Sequence, residues 1–363
     1  MDISKIDKNF DINNKIPVDD VEWYNASEAP FVLYGGMHDE KGYCRIPRDI
    51  AATVSDGVRI LNEHTAGIRV RFKTDSPYLA ISVKWNGFFP MNHMPASGSS
   101  GFDLYKVKDG LHKFVVPFII FGQDRTINDV GYSSFRYLNT VEREEYNEGE
   151  MADYILNFPL YNSVRELYIG VKKGSKVEKG GTYRNNLPVV FYGSSITQGG
   201  CASRPGNSYQ GFISRALDLD YVNLGFSGSG KAEDEIIDYL KNIPMSIFVS
   251  DYDHNAPTLE HLQNTHYKLY KKIREVNPNL PYVMISKPDY YNLRDRDRKA
   301  IVFETFNRAM AEGDNNVYFI DGGMLFSGDE REACTVDGCH PNDLGFYRMA
   351  QGITPTLKYI LTK

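Results

Sequence analysis

The apolar run Val189-Val190-Phe191-Tyr192 stops abruptly at Gly193-Ser194-Ser195, and this stop constrains the chain more than any other feature. Pro188 opens the run and no charge interrupts it before Gly193, which suits a strand covered on both faces in a parallel sheet. A side chain at the carboxyl end of such a strand projects into the crevice that open α/β sheets use for ligands. Ser195 is therefore a candidate nucleophile. The plain alternative is that Ser194 and Ser195 only cap the next helix.

The pattern repeats to the C-terminus. Apolar strands at 189–192, 221–224, 246–249, 282–285 and 317–320 alternate with helical segments. The clearest helix begins after Thr258, a good N-cap, and sets Leu262, His266, Leu269, Ile273 and Val276 on one stripe before Asn277-Pro278 stops it. Residues 294–311 and 344–361 read as two more helices, the last distorted at Pro355. Such alternation predicts an α/β fold, a parallel sheet between helices with right-handed crossovers.

The first half has a different period. The first forty residues show no helical repeat and read as an extended lead-in. From Gly67, Ile68, Val70 and Phe72 alternate with Arg69, Arg71 and Lys73; beyond Thr74-Asp75-Ser76-Pro77, Leu79, Ile81, Val83 and Trp85 alternate again. Residues 67–85 thus predict an antiparallel hairpin. Residues 102–107 and 111–121 flank Lys108-Asp109-Gly110, a second hairpin signal, and 166–171 alternates once more. With no convincing amphipathic helix, these strands predict an all-β sandwich or jelly roll over about residues 30–172. The acidic stretch 141–150 reads as a solvated loop, and 172–181 has linker composition. Two domains result, 1–180 and 181–363, as the length of 363 residues favours.

Composition narrows the partners. A net charge of -6 with no concentrated basic face argues against a nucleic-acid partner and favours small neutral or soluble substrates. Charges at Asp2, Lys5, Asp7 and Lys8 interrupt any leader-like core, and no run of about 18 apolar residues occurs. No membrane association and a cytoplasmic location are the expectations. Cys44, Cys201, Cys334 and Cys339 lack zinc spacing and read as free thiols.

A serine hydroxyl becomes nucleophilic when a base within hydrogen-bond reach takes its proton and a third group fixes the base's tautomer. Asp337 and His340 lie close enough in sequence for the carboxylate to reach the imidazole, and their segment follows the last strand to the same sheet edge as Ser195. Backbone amides of Gly225-Phe226-Ser227-Gly228-Ser229-Gly230, the Asn255 carboxamide and the amide of Ser195 are candidate oxyanion donors. The glycine-rich loop has a rival reading as a phosphate cradle, but no Gly-Lys-Ser/Thr follows it. Arg204 either lines the pocket or forms a salt bridge at a helix start, and Arg204 and His254 are the candidate substrate-binding residues.

In order, Gly193-Ser194-Ser195-Ile196-Thr197, Asn223-Leu224-Gly225-Phe226-Ser227-Gly228, Asp253-His254-Asn255 and Asp337-Gly338-Cys339-His340-Pro341 resemble the four blocks of the SGNH (GDSL-type) hydrolase superfamily. The resemblance covers residues 188–363 and implies a flavodoxin-like sheet, Ser195 as nucleophile, His340 as base, Asp337 as its orienting acid, and Gly228 with Asn255 completing the oxyanion hole. Two positions depart from the pattern. The usual Asp before the nucleophile is Ser194, and the usual Gly-Gly-Asn-Asp is Asp253-His254-Asn255-Ala256. Gly101-Phe102-Asp103-Leu104-Tyr105, preceded by Arg45-Ile46-Pro47, resembles the GxDLY-type β-sandwich domain ahead of one SGNH branch. Members of that branch are described as esterases or acylhydrolases, and similar two-domain enzymes deacetylate carbohydrates.

The expected function is a serine esterase that removes short acyl groups, acetyl foremost, from hydroxyls of a sugar or oligosaccharide, without metal or organic cofactor. A thioesterase or lysophospholipase with longer acyl substrates is the alternative among enzymes. A carbohydrate-binding protein with an inactive catalytic domain is the alternative outside them. A homo-oligomer stays open. Met91-Asn92-His93-Met94-Pro95 is the place to seek a contribution of the first domain to the pocket. Neutral His340 is required as base, so activity should fall in acid.

Overall fold

The structure, a computed structural model, describes residues 20–87, 91–118, 150–288 and 293–363. Two antiparallel sheets build the first half. One orders Val21–Asn25, Ser163–Lys172 and Leu79–Gly87; the other orders Val177–Lys179, Arg69–Thr74, Ala152–Asn157, Phe102–Lys108 and Leu111–Phe118, with Val32–Tyr34 also on Arg69–Thr74. Val70, Phe72, Leu104 and Leu156 from the second sheet meet Ile81, Val83, Leu167 and Ile169 from the first in one buried core. This is the sandwich that the alternation predicts.

Several details differ from the sequence expectation. Arg69–Thr74 and Leu79–Gly87 do not pair; Ser76-Pro77 carries the chain from one sheet to the other. Period two fixes which face is apolar, and both apolar faces here enter one core from opposite sides. The hairpin at Asp109-Gly110 does form, with both residues at positive φ as a type I′ turn needs. Three short helices, Arg48–Val54, Asp56–Leu61 and Ala96–Ser99, interrupt the all-β reading, the second capped by Ser55 Oγ accepting from Val58 N–H at 3.2 Å. Part of the stretch read as linker is the strand Val177–Lys179. The acidic stretch 141–149 and residues 119–121 lie outside the described residues.

In the second half five parallel strands run in the order Tyr221–Gly225, Val189–Gly193, Ile247–Asp251, Tyr282–Ile285 and Val317–Ile320. This is the flavodoxin-like order, with its switch point between Val189–Gly193 and Ile247–Asp251. Val189 and Phe191 enter the core on one face of the sheet, Val190 and Tyr192 that on the other, which is why the run carries no polar residue. Helix Leu259–Val276 is capped by Thr258 and buries Leu262, His266, Leu269 and Ile273. Leu293–Ala311 and Asp343–Thr362 are the other long helices, the latter with Pro355 inside it. Among the described residues no helix is long and apolar enough to cross a membrane.

The halves are packed into one another. Ile46, Ala51, Val54 and Val58 belong to one α/β core, while Ala66, Met94, Leu160 and Tyr161 belong to the other. Arg69, on the polar face of its strand, is buried against Asp220 in an ion pair and stacks on Tyr221 at 4.0 Å. Arg45, also buried, donates to the carbonyls of Asn223 and Gly225 and lies 4.4 Å over the Phe226 ring. The first half thereby supports the strand that leads into the glycine-rich loop.

Candidate active site

Strand Val189–Gly193 ends where only glycine fits. A Cβ at Gly193 would lie 2.1 Å from Thr197 Oγ1 and 2.2 Å from the Asp251 carbonyl. The chain turns there into the short helix Ser195–Gln198. Ser194 caps it: its Oγ accepts from Ile196 N–H at 3.1 Å, while Ser194 N–H donates to Thr197 Oγ1 at 3.2 Å. Capping and presentation are therefore divided between neighbours. Ser194 is wholly buried, whereas Ser195, one residue on, retains some exposure.

Ser195 Oγ lies 2.9 Å from His340 Nε2, and His340 Nδ1 lies 2.7 Å from Asp337 Oδ2. Asp337 Oδ1 accepts the N–H groups of Cys339 at 2.9 Å and His340 at 2.7 Å. Partial burial pushes the Asp337 carboxyl up. The bonds from the His340 side chain and from these two amides outweigh that and hold it at about 2. The carboxylate thus stays ionised beside the imidazole and fixes its proton on Nδ1, leaving Nε2 to accept from Ser195. Gly338, at φ +80°, makes the turn, and Cys201 N–H donates to the Pro341 carbonyl at 2.8 Å, tying this loop to the segment after Ser195.

The donors for a developing negative charge converge on the same strand ends. Neither Ser195 N–H nor Gly228 N–H makes a hydrogen bond among the described residues. Gly228 is at φ +66°, and a Cβ there would meet nothing within 4 Å. Asn255, in the turn Asp253–Asn255 after strand Ile247–Asp251, donates one amide hydrogen to the Phe226 carbonyl at 3.0 Å and keeps the other. Gly230 packs so tightly on the Gly193 carbonyl that a Cβ would come within 2.2 Å.

Two sequence candidates have partners within the chain. Arg204 lies 3.7 Å over the Phe114 ring and 3.5 Å from Asp103 Oδ2, so it joins the two halves. His254 has no ring nitrogen left for a substrate: Nε2 bonds Ser194 Oγ and Nδ1 lies 3.0 Å from Asp253 Oδ1. The structure also adds residues from the first half. Tyr161 OH donates to the Ser195 carbonyl at 3.1 Å, and the His93 ring stands against that of His340. Only the loop 91–95 carried any signal for this. Asp103, within Gly101-Phe102-Asp103-Leu104-Tyr105, accepts from Gly206 N–H at 2.9 Å, so that motif grips the segment beyond the nucleophile helix.

Two groups of metal-ligating side chains occur among the described residues, His93 with Asp337 and His340, and Asp251 with Asp253 and His254. In each, one histidine already has both nitrogens engaged by serine and aspartate, so an ion would displace one of those bonds.

A serine, imidazole and carboxylate in series at the carboxyl edge of a parallel sheet, with undonated backbone amides at Ser195 and Gly228, is an arrangement for acyl transfer. Residues 186–358 match the family model of the GDSL-like lipases and acylhydrolases, and residues 21–177 match that of the GxDLY N-terminal domain of SGNH-hydrolase-type esterases. The chain belongs to the SGNH (GDSL-type) hydrolases. Among solved structures similar to this hydrolase is one described as a GDSL-like lipase from Bacteroides ovatus, 26% identical over 94% of this chain and 98% of that one, with a TM-score of 0.82. A salicylyl-acyltransferase from a tetracycline biosynthetic pathway shares the fold at 18% identity, covering 94% and 97%, with a TM-score of 0.74. A family two carbohydrate esterase from Clostridium thermocellum shares it at 14% identity, covering 92% and 99%, with a TM-score of 0.62. No curated protein matches the sequence significantly.

Proposed function

We propose that this SGNH hydrolase is a serine esterase that removes short acyl groups, acetyl foremost, from carbohydrate hydroxyls through an acyl-enzyme. The observation that carries the reading is the unbroken chain from Ser195 Oγ through His340 to Asp337, at 2.9 and 2.7 Å. Ser195 attacks the ester carbonyl as its proton passes to His340 Nε2, and the Asp337 carboxylate stabilises the imidazolium. The oxyanion is met by the amides of Ser195 and Gly228 and the carboxamide of Asn255. Collapse expels the sugar alkoxide, which takes the proton from His340. Water, activated by the same imidazole, then releases the acid and restores Ser195.

The substrate class rests on the carbohydrate esterases that share the two-domain fold and on an active site bordered by His93 and Tyr161 of the first half. A panel of para-nitrophenyl acetate, butyrate and octanoate together with acetylated xylo- and manno-oligosaccharides tests it. Acetate preference with release of acetate from a sugar supports the reading. Octanoate preference without sugar deacetylation replaces it with a longer-chain acylhydrolase.

A further inference from the structure

The two departures from the family pattern are the two ends of one hydrogen bond. Ser194 stands where the pattern has Asp, His254 stands in the altered third block, and Ser194 Oγ bonds His254 Nε2. Asp253 Oδ1, a carboxylate oxygen that can only accept, lies 3.0 Å from His254 Nδ1 and holds the His254 proton there. Nε2 is then the acceptor, so Ser194 Oγ donates its own proton to it while accepting from Ile196 N–H at 3.1 Å. Asp253 is buried; its other oxygen accepts from Lys287 N–H at 3.1 Å, and its backbone carbonyl accepts from Arg298. A second Ser-His-Asp series, Ser194, His254 and Asp253, therefore runs beside Ser195, His340 and Asp337, starting from the adjacent serine.

This second series is not built to attack a substrate, because Ser194 is wholly buried. Its ends lie next to the groups that would hold the oxyanion: Ser194 precedes Ser195, whose amide is one donor, and His254 precedes Asn255, which supplies another. We infer that His254 is a positioning residue, which locks the nucleophile turn to the Asp253–Asn255 turn so that the Ser195 amide and the Asn255 carboxamide are set at the spacing a tetrahedral intermediate needs. The inference rests on the esterase reading above. A carboxylate absent from position 194 is supplied instead by Asp253 through the imidazole. A placement error of about 1 Å in such groups can cost on the order of 10²-fold in rate.

The test measures kcat and KM for para-nitrophenyl acetate, the inhibition constant of an alkyl boronic acid that forms a tetrahedral adduct with the serine, and thermal unfolding. It compares wild type with His254→Phe, His254→Gln and Ser194→Ala. Phe keeps ring volume but removes both nitrogens. Gln offers an acceptor and a donor on one planar group and can bridge Ser194 to Asp253. His254→Phe is expected to lower kcat by about 10- to 100-fold with KM changed less than about threefold, and to weaken the boronic acid in proportion to kcat/KM. His254→Gln is expected to recover most of both losses. Should His254→Phe fail to fold, Ser194→Ala breaks the same bond from its other end, and loss of the helix cap then appears in unfolding while loss of positioning appears in kcat and boronate affinity. Wild-type kcat and boronate affinity in Ser194→Ala and in each folded His254 variant would overturn the inference alone. Absence of any turnover that depends on Ser195 in wild type would instead overturn the esterase reading, and the inference with it.

Discussion

The imidazole of His93, carried by the first half of the chain, stands edge-on to that of His340, with ring centroids 5.5 Å apart and planes at 64°. His340 is the group that hands a proton to the departing alcohol in the proposed reaction, so His93 borders the leaving-group side. His93→Ala is expected to lower kcat/KM for an acetylated oligosaccharide by about tenfold, and to lower it less for para-nitrophenyl acetate. Steady-state kinetics on both substrates checks this; equal losses would mean that His93 acts on the base and not on the alcohol.

Asp337 holds the His340 proton on Nδ1 and stays ionised down to about pH 2. Asp337→Asn is expected to lower kcat by up to about 10⁴-fold, because a carboxamide can donate to Nδ1 and leave the proton on the wrong nitrogen. Asn255→Ala is expected to lower kcat by about 10²- to 10³-fold with KM nearly unchanged, as for loss of one oxyanion donor. Loss confined to KM in Asn255→Ala would remove that residue from the oxyanion hole.

How much of this was legible in the sequence follows from what each signal measures. The strand before Ser195 was readable because burial on both faces leaves an unbroken apolar run, and the wide separation of Ser195 and His340 was bridged by the family resemblance. Alternation from Ile68 to Trp85 gave the faces of two strands but not their partners, which pair with Ala152–Asn157 and Ser163–Lys172 instead of with each other. Helices Arg48–Val54 and Asp56–Leu61 leave no clear sequence signal because their stability comes from Ala51, Val54 and Val58 packing into a core built more than 100 residues later. The contacts of Arg204 with Phe114 and Asp103, and of His254 with Ser194, are not legible in the sequence because these partners lie 60 or more residues away, whereas Asp253 is the residue next to His254.

Arg69 and Asp220 form an ion pair across the two halves, and the arginine also donates to Tyr183 OH at 2.9 Å and the Tyr221 carbonyl at 3.0 Å. Arg69→Met leaves the mostly buried Asp220 carboxylate without its cation and is expected to cost about 3–5 kcal/mol of stability. Chemical denaturation followed by fluorescence and by circular dichroism checks the size of the effect. A change below about 1 kcal/mol would show that water takes over from the guanidinium.

His266 is buried, with Nδ1 2.9 Å from Thr305 Oγ1, and burial, opposed by the Asp253 charge, lowers its pKa to about 4. The unfolded chain binds the proton near pH 6.5 and the native state does not, so this histidine withdraws stability as pH falls from about 6.5 to about 4 and no further below that. His266→Gln removes that dependence. Its stability relative to wild type should therefore rise between about pH 7 and about pH 5, as urea denaturation at both values would show. A difference independent of pH would mean that His266 titrates alike in both states.

The most direct test of the proposed chemistry is to locate the acyl group. Wild-type protein is mixed with para-nitrophenyl acetate, quenched in acid during turnover and digested, and the acetylated peptide is fragmented to separate Ser194 from Ser195. Acetyl on Ser195, absent from Ser195→Ala along with turnover, is the predicted result; acetyl on Ser194, or turnover that persists in Ser195→Ala, would contradict it.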